Sequence, residues 1–512
     1  MNKRLIGGAA TVAVGVVLYA CGGSGSSNPS MDVSKGTVLL NANVVNTRDG
    51  SVTPGMSIVI DGGKIQQIIP VGTNVTVSGS GQGVDASGKY VVPGYLDMHT
   101  HVFDGDQQSA YWPLMIANGI TGVREMTGSS DLVKRAQQHN ADRAAGNLDA
   151  PEVLLIPGDL FRGLPPASTT AGPAIQAVQQ QKAYGAGFVK IINTNREATL
   201  AILGEAKKQG LDVAGHLTPA VSARESSDLG WKAVEHFGAG LGVLLDCANE
   251  EDSVRAAILR GDGGVTPPLP PSWSFTAQTA PFFQRVFDSY NAGKCLALAQ
   301  TFAKNGTWHV PTLIRLRTQA FVDATSYRTD PNLKYVSPAT RAVWEAAAVR
   351  FTTTIPAPAS ATFKQYFGLV QTLPKLMKQN GIKMLTGSDI SSSLSNWVVP
   401  GFSLHQEFSL LSDNGLSPLD ILQMTTLNGA EFLNRQSTMG TVDVGKNADL
   451  VLLDANPITD AANLDKISGV LLKGKYFSKA ALEKMKSDVA AIYASQPVLT
   501  GVNAVIQPDH VD

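Results

Sequence analysis

Val91-Val92-Pro93-Gly94-Tyr95-Leu96-Asp97-Met98-His99-Thr100-His101-Val102 decides the reading of the whole chain. Apolar residues and a Pro-Gly step lead into a short strand-like run that ends in two histidines two positions apart. Side chains of a strand alternate between faces, so His99 and His101 point the same way with Cβ atoms roughly 7 Å apart. Two imidazoles so placed can hold one metal ion. An isolated His-X-His also arises by chance, so the reading rests on where the other histidines fall.

Downstream, short apolar strands alternate with helix-like stretches, the pattern of parallel βα units. After the run 96–102, strands are expected over residues 121–125, 152–157, 187–192, 211–217, 233–237, 309–313 and 383–389. Together they predict an α/β protein built on a (β/α)8 barrel. Such a barrel needs about 250 residues, so this longer region must carry insertions. Two stand out, over 238–295 with its run Thr266-Pro267-Pro268-Leu269-Pro270-Pro271, and over 316–362. Both follow predicted strands, at the barrel end whose loops shape the active-site mouth.

Upstream, 37–45, 56–60 and 64–69 are β-branched runs, the last two joined by the hairpin signal Asp61-Gly62-Gly63. They have a counterpart in 449–454 and 467–475. Neither set can bury an apolar face alone, which predicts one small discontinuous β-sandwich built from both ends of the chain. The expected organisation is a signal peptide (1–20), a tether (21–35), the first sandwich part (36–92), the barrel (93–437), the second sandwich part (438–477), and a helix with a polar tail (478–512).

The composition is that of a globular protein: 43% hydrophobic, 16% charged, and a formal charge of −1 from 41 basic and 42 acidic residues. No global basic field recruits nucleic acid, and the default partner is a small molecule. At the N-terminus, Lys3 and Arg4 precede a weakly apolar run of about 14 residues, short of the roughly 20 that span a bilayer. Leu18-Tyr19-Ala20-Cys21 resembles a bacterial lipobox, which would lipidate Cys21 and make that anchor the only membrane contact. Otherwise the chain is an ordinary secreted protein. Either way its destination is outside the cytoplasm, in the periplasm or cell envelope if anchored. That context permits a disulfide between the two remaining cysteines, Cys247 and Cys295.

Polar residues able to bind metal recur at or near the ends of the predicted barrel strands. His99 and His101 lie on the first, Lys190 on the fourth, His216 on the fifth, His236 on the sixth and Asp389 on the eighth. Of the eight histidines, four gather there, whereas His139 falls in a helical run and His510 in the tail. A lysine in a barrel strand also serves as a snorkelling packing residue. Asp97 is read as structural, as is His405, and His309 is assigned to the barrel interior. Substrate contacts are harder to find. Arg315 could reach the pocket mouth to meet a carboxylate, although surface solvation explains it as well. Arg124 and Tyr111 are weaker candidates.

These motifs, with Phe188-Val189-Lys190-Ile191, Ala214-Gly215-His216, Val234-Glu235-His236, Leu385-Thr386-Gly387-Ser388-Asp389 and Gly440-Thr441-Val442-Asp443-Val444-Gly445-Lys446-Asn447-Ala448-Asp449-Leu450, resemble the amidohydrolase superfamily. Within it, the resemblance is to the imidazolonepropionase-like and Xaa-Pro or Xaa-Arg dipeptidase branch. It runs from about residue 36 to 474. It implies two divalent metal ions, with zinc the expected metal. His99, His101 and Asp389 would hold one, His216 and His236 the other, and Lys190 would bridge them as a CO2-derived carbamate. Two metals lower the pKa of a bridging water far below its bulk value of about 15.7 and polarise a carbonyl. Asp389 would take the hydroxide's proton and pass it to the leaving nitrogen. The expected reaction is hydrolysis of an amide of the dipeptide or N-acyl amino acid type. A lactone, carbamate or phosphotriester substrate is an alternative, as is a non-catalytic lipid-anchored binding protein. The Gly-Gly-His-Gly segment common in this branch is missing from Ile156-Pro157-Gly158-Asp159-Leu160-Phe161-Arg162-Gly163. That departure argues against carrying over a named dipeptidase substrate. Oligomerisation is common in the family, so a homo-oligomer is a further expectation.

Overall fold

Seven short parallel strands and one extended segment hydrogen-bond into a ring in the computed structural model, which describes residues 29–105, 107–163, 166–262, 275–391 and 397–497. The strands are Tyr95–Thr100, Ile120–Glu125, Glu152–Leu155, Val189–Asn193, Val213–Gly215, Trp231–Glu235 and Trp308–Val310. Regular ladders join the first three and the next four. Gly187 N to Ile156 O (2.9 Å) bridges the two groups. The segment 383–390 closes the ring. Leu385 N reaches His309 O (2.9 Å) on one side, and Met98 N reaches Thr386 O (2.9 Å) on the other. This last staff of the barrel is irregular because Asp389 sits in the left-handed region (φ 59°). The expected (β/α)8 architecture is therefore the observed one.

A buried cluster of Leu96, Met98, Phe188, Ala214, Ala233, Trp308, Val310 and Leu385 packs with Phe432, from the helix Leu427–Phe432. Trp308 opens its strand, so this plug lies toward the N-terminal strand ends and leaves the opposite rim for polar side chains. The outward residues Val123, Val189, Val213 and Val234 join the larger core under the helices.

Both ends of the chain meet in one eight-stranded sheet. Leu450–Leu453 pairs antiparallel with Tyr90–Pro93 on one edge and with Ile467–Leu472 on the other. The hairpin Val52–Asp61/Lys64–Ile69 turns at Gly62-Gly63, both with positive φ as that turn requires. Leu450 and Leu452 enter the core of the sheet, while Val451 and Leu453 face the barrel. Each such side chain contributes roughly 1.5–3 kcal/mol when fully buried, so neither terminal segment is stable without the other. A two-stranded parallel ladder, Ser30–Val33 with Asn74–Val77, covers Val38, Val59 and Ile69.

The two insertions are mainly helical. The first contains Gly242–Asp246, Glu251–Arg260, Ala280–Asp288 and the start of Ala292–Asn305, and the second Thr325–Arg328, Pro338–Thr354 and the start of Ala357–Val370. Cys247 ends the first of these helices and Cys295 lies within another, and a disulfide joins them with Cα atoms 4.5 Å apart. The C-terminal helix Lys479–Ala494 starts at Ser478, whose hydroxyl accepts from Ala481 N, and buries Leu482, Val489 and Tyr493. Among the described residues no helix is long and apolar enough to cross a membrane. The predicted signal with Cys21, the proline run 266–271 and His510 lie outside the described residues.

Candidate metal centre

The first strand ends at the barrel rim with a register shift between Asp97 and Thr100, and His99 and His101 are both completely buried there. Their Nε2 atoms lie 3.2 and 3.1 Å from the same oxygen, Asp389 Oδ1. Three ligand atoms, one from each residue, fall within 4.8 Å of one another. Asp389 is carried there by its own backbone, whose N–H donates to His99 O at 2.8 Å. His236 follows the sixth strand. Its Nε2 is 4.0 Å from Asp389 Oδ2, and its ring centre lies 4.4 Å from that of His99 and 5.2 Å from that of His216. Lys190 is fully buried on the fourth strand, in register with inward-facing Ala214.

The other ring nitrogens are already engaged. His99 Nδ1 meets Glu235 Oε2 at 2.7 Å, His101 Nδ1 meets Thr127 Oγ1 at 2.6 Å, and His236 Nδ1 meets Thr312 Oγ1. A proton held on Nδ1 by an oxygen acceptor leaves Nε2 with its lone pair, the form that binds a metal. Three imidazoles presenting Nε2 toward one carboxylate, in a site closed to solvent, fit a divalent ion of the zinc type.

The electrostatics of the surroundings follow from burial. Glu235 is fully buried, which pushes its carboxyl up. The Arg124 guanidinium and the His99 hydrogen bond outweigh that and hold it down at about 2. Burial likewise pushes Asp389 up, but the Arg315 guanidinium, then His99 and His236, hold it well below the usual carboxylate range. Arg315 Nε contacts Asp389 Oδ2 directly. Burial, followed by the Arg315 charge, keeps His236 well below the usual histidine range. Asp97 is raised to about 6 by burial, against its hydrogen bonds from Ser388. It accepts from Ser388 N (2.9 Å) and Ser388 Oγ (2.6 Å), clamping the residue before Asp389.

A second buried acid acts at longer range. Glu407, from the helix Phe402–Asp413, accepts from Ile314 N at 2.8 Å. That bond anchors the start of the helix Leu313–Ala320, which carries Arg315 and is preceded by Thr312 in the left-handed region (φ 42°). One carboxyl group thus sets the position of both Thr312, which orients His236, and Arg315, which meets Asp389.

His99, His101, His216, His236 and Asp389 are brought together, with Lys190 on the same inner face. Other expectations need correction. Arg315 is 3% exposed and pairs with Asp389 instead of being solvated at the surface. Arg124, a candidate for substrate contact, is completely buried beneath the histidines. It donates to Met98 O and to Glu235 Oε1, both at 2.6 Å, so its guanidinium is engaged inside the barrel instead of at the mouth. Tyr111 is only 3% exposed, on the buried face of the helix Gln108–Ala117 and packed in the core as a structural residue. His309 is in register with outward-facing Val234 and meets Phe302 of the helix layer, so it does not face the barrel interior. His405 hydrogen-bonds Asn118 O at 3.0 Å and packs on Tyr95 and Phe408, as a structural residue would. The functional residues that motif reading missed are Glu235, Thr127 and Thr312. Only Glu235 left a trace, as the middle residue of the quoted run Val234-Glu235-His236, next to an expected ligand.

Residues 370–477 match the Amidohydrolase family. Over 436 residues the chain is 23% identical to imidazolonepropionase from Chromobacterium violaceum, covering 83% of this chain and 91% of that protein. A shorter match, 43% over 54 residues, is to 5'-deoxyadenosine deaminase from Methanobrevibacter smithii; it spans 10% of this chain and only 12% of that protein. Among solved structures, a Xaa-Pro dipeptidase with bound methionine in its active site superposes with a TM-score of 0.57 at 18% identity, covering 87% of this chain and 100% of that one. Residues 370–477 thus match an amidohydrolase-family domain, and over most of its length the chain is similar to imidazolonepropionase, with the ring of strands and the histidine–aspartate cluster in the same molecule.

Proposed function

We propose that the chain is a metal-dependent amidohydrolase that cleaves an amide bond in a small molecule of the dipeptide or N-acyl amino acid type. The observation that carries this reading is the meeting of His99 Nε2 and His101 Nε2 on one oxygen of Asp389, with both Nδ1 atoms already held. His99, His101 and Asp389 would hold one zinc, and His216 and His236 a second. Lys190 would bridge them as a carbamate: an ammonium there repels two cations, whereas a carbamate supplies anionic oxygens. Divalent ions bound there supply Lewis acidity that polarises an amide carbonyl and lower the pKa of a water.

The remaining chemistry belongs to the chain. Asp389 Oδ2 is the proton carrier, since Oδ1 faces His99 and His101. Its ionised state at rest follows from the Arg315 contact. Proton uptake on Oδ2 requires Arg315 to yield, and delivery to the leaving nitrogen restores the pair. Glu235 and Thr127 keep the two histidines in their tautomer through the cycle. Burial of every member excludes bulk water from the proton's path. The disulfide Cys247–Cys295 supports the further proposal that the chain works outside the cytoplasm, where such bonds persist. The test is a hydrolysis screen of dipeptides and N-acyl amino acids with metal-loaded protein, with metal content measured in parallel. Two equivalents of metal and amide turnover that Asp389→Asn abolishes are expected. No bound metal after zinc supplementation, or undiminished turnover in Asp389→Asn, would refute the reading.

A further inference from the structure

Beside the histidines lies a pocket whose wall includes His236 and is otherwise almost wholly apolar: Phe237, Leu241, Leu244, Leu316, Phe367 and Val370. Apart from His236, the side chains able to hydrogen-bond in this wall are Tyr366 and Gln319. Tyr366 turns its hydroxyl away to donate to Leu241 O at 2.7 Å, and Gln319 uses its amide oxygen on Arg315 Nη1 at 3.3 Å. No Asp, Glu, Lys or Arg lines the pocket among the described residues. A charged substituent entering it would lose its hydration without compensation, whereas an apolar one would gain.

The backbone that builds this wall is unusual. His236, Phe237, Gly238, Ala239 and Gly240 all have positive φ, at 55°, 52°, 98°, 55° and 49°. Three of the five carry a Cβ, for which this conformation is unfavourable, and such runs persist where the surroundings over-determine them, typically at ligand sites. Gly242 shows how tightly the turn is wound: a Cβ there would lie 2.1 Å from Phe237 O. The same turn therefore delivers a metal-site histidine and, in the next residue, the aromatic wall of an apolar chamber.

We infer that this pocket is the specificity chamber of the site and receives an uncharged apolar group, aryl or branched alkyl, attached next to the scissile amide. The inference rests on the reading of the site as a metal-dependent amide hydrolase and narrows its substrate class. Amides bearing a carboxylate or ammonium at that position are excluded by the lining, and those bearing only hydrogen or methyl leave the chamber unfilled.

The test is calorimetric binding of three hydroxamates to the full-length metal-loaded protein: acetohydroxamate, benzohydroxamate and succinohydroxamate, which carries a carboxylate. All three offer the same chelating head, so their ranking reports the chamber. Burying a phenyl ring predicts benzohydroxamate tighter than acetohydroxamate by about tenfold or more, with succinohydroxamate no tighter than acetohydroxamate. Leu316→Asp should bring the benzo-to-aceto ratio close to one, and Val370→Thr, which conserves shape, should lower it in the same direction. If Leu316→Asp does not fold, Val370→Thr decides alone. Equal affinities, equal absence of binding, or a ratio that survives substitution would overturn the proposal. A persistent benzohydroxamate preference without turnover of any amide would instead sink the hydrolase reading and leave the chamber standing. Amide turnover indifferent to the adjoining group would do the reverse.

Discussion

Replacing Arg124 by methionine separates what the buried ion pair does for the fold from what it does for the metal centre. Arg124 Nη2 and Glu235 Oε1 are 2.6 Å apart with both side chains essentially without solvent contact. Removing one partner of such a pair costs about 3–5 kcal/mol, because the other charge stays buried and uncompensated. For a barrel larger than the roughly 200-residue domains in which 1 kcal/mol moves the midpoint by about 2–4 °C, the shift per kcal/mol is smaller, and the expected melting-temperature fall is on the order of 5 °C. Arg124→Met is sterically mild, since its guanidinium already packs 5.6 Å from the Phe188 ring and 5.3 Å from the Phe432 ring.

Glu235 would then respond. Without Arg124, burial dominates and pulls its carboxyl up from about 2, so that it takes up a proton and ceases to be the anionic acceptor for His99 Nδ1. Loss of such an outer partner weakens metal binding by about 10–100-fold. The double variant Arg124→Met/Glu235→Gln leaves no unpaired charge and should regain most of the stability, but not the metal affinity. The assays are thermal melting of the metal-free proteins and chelator competition for affinity. The reasoning is refuted if the double variant melts no higher than Arg124→Met, or if Arg124→Met binds metal as tightly as the parent.

Three further outcomes are expected. Burial raises Glu407 to about 8, so the folded chain keeps a proton that the unfolded one releases near the ordinary value of about 4.3. Stability from this group is then fullest below that lower value and is lost as pH rises through about 8, at about 1.4 kcal/mol per pH unit. Glu407→Gln should flatten the melting profile between these limits and melt above the parent in alkali; an unchanged slope would count against it. Gly387→Ala would put a Cβ 2.7 Å from His99 Cβ and 2.9 Å from Val310 Cγ1. It should reduce metal content measured by mass spectrometry, and full occupancy would contradict the packing argument. Cys247→Ser opens a cross-link spanning 48 residues, worth typically 2–4 kcal/mol, and should lower the denaturation midpoint only when compared with the oxidised parent.

What could be read from the linear chain was whatever local periodicity and short spacing encode. Alternating β-branched runs placed the sheet strands, Gly62-Gly63 marked a hairpin, and apolar strands at βα spacing predicted the barrel. Histidines at strand ends marked the rim, because the rim of a parallel barrel is where strand ends converge. The residues that orient those histidines were not legible. Glu235 contacts His99 across 136 positions and Thr312 contacts His236 across 76, and no local pattern records such a distance. The facing of His309 and the depth of Arg124 depend on strand register, and a shift of one residue reverses it. Arg315 looked like a surface cation because nothing near it in sequence is acidic; only barrel closure brings Asp389 to its guanidinium. Composition and spacing thus determined which chemistry the chain can host. Tertiary packing decided which side chains hold it in place, since burial and pairing are properties of neighbours that the chain order does not contain.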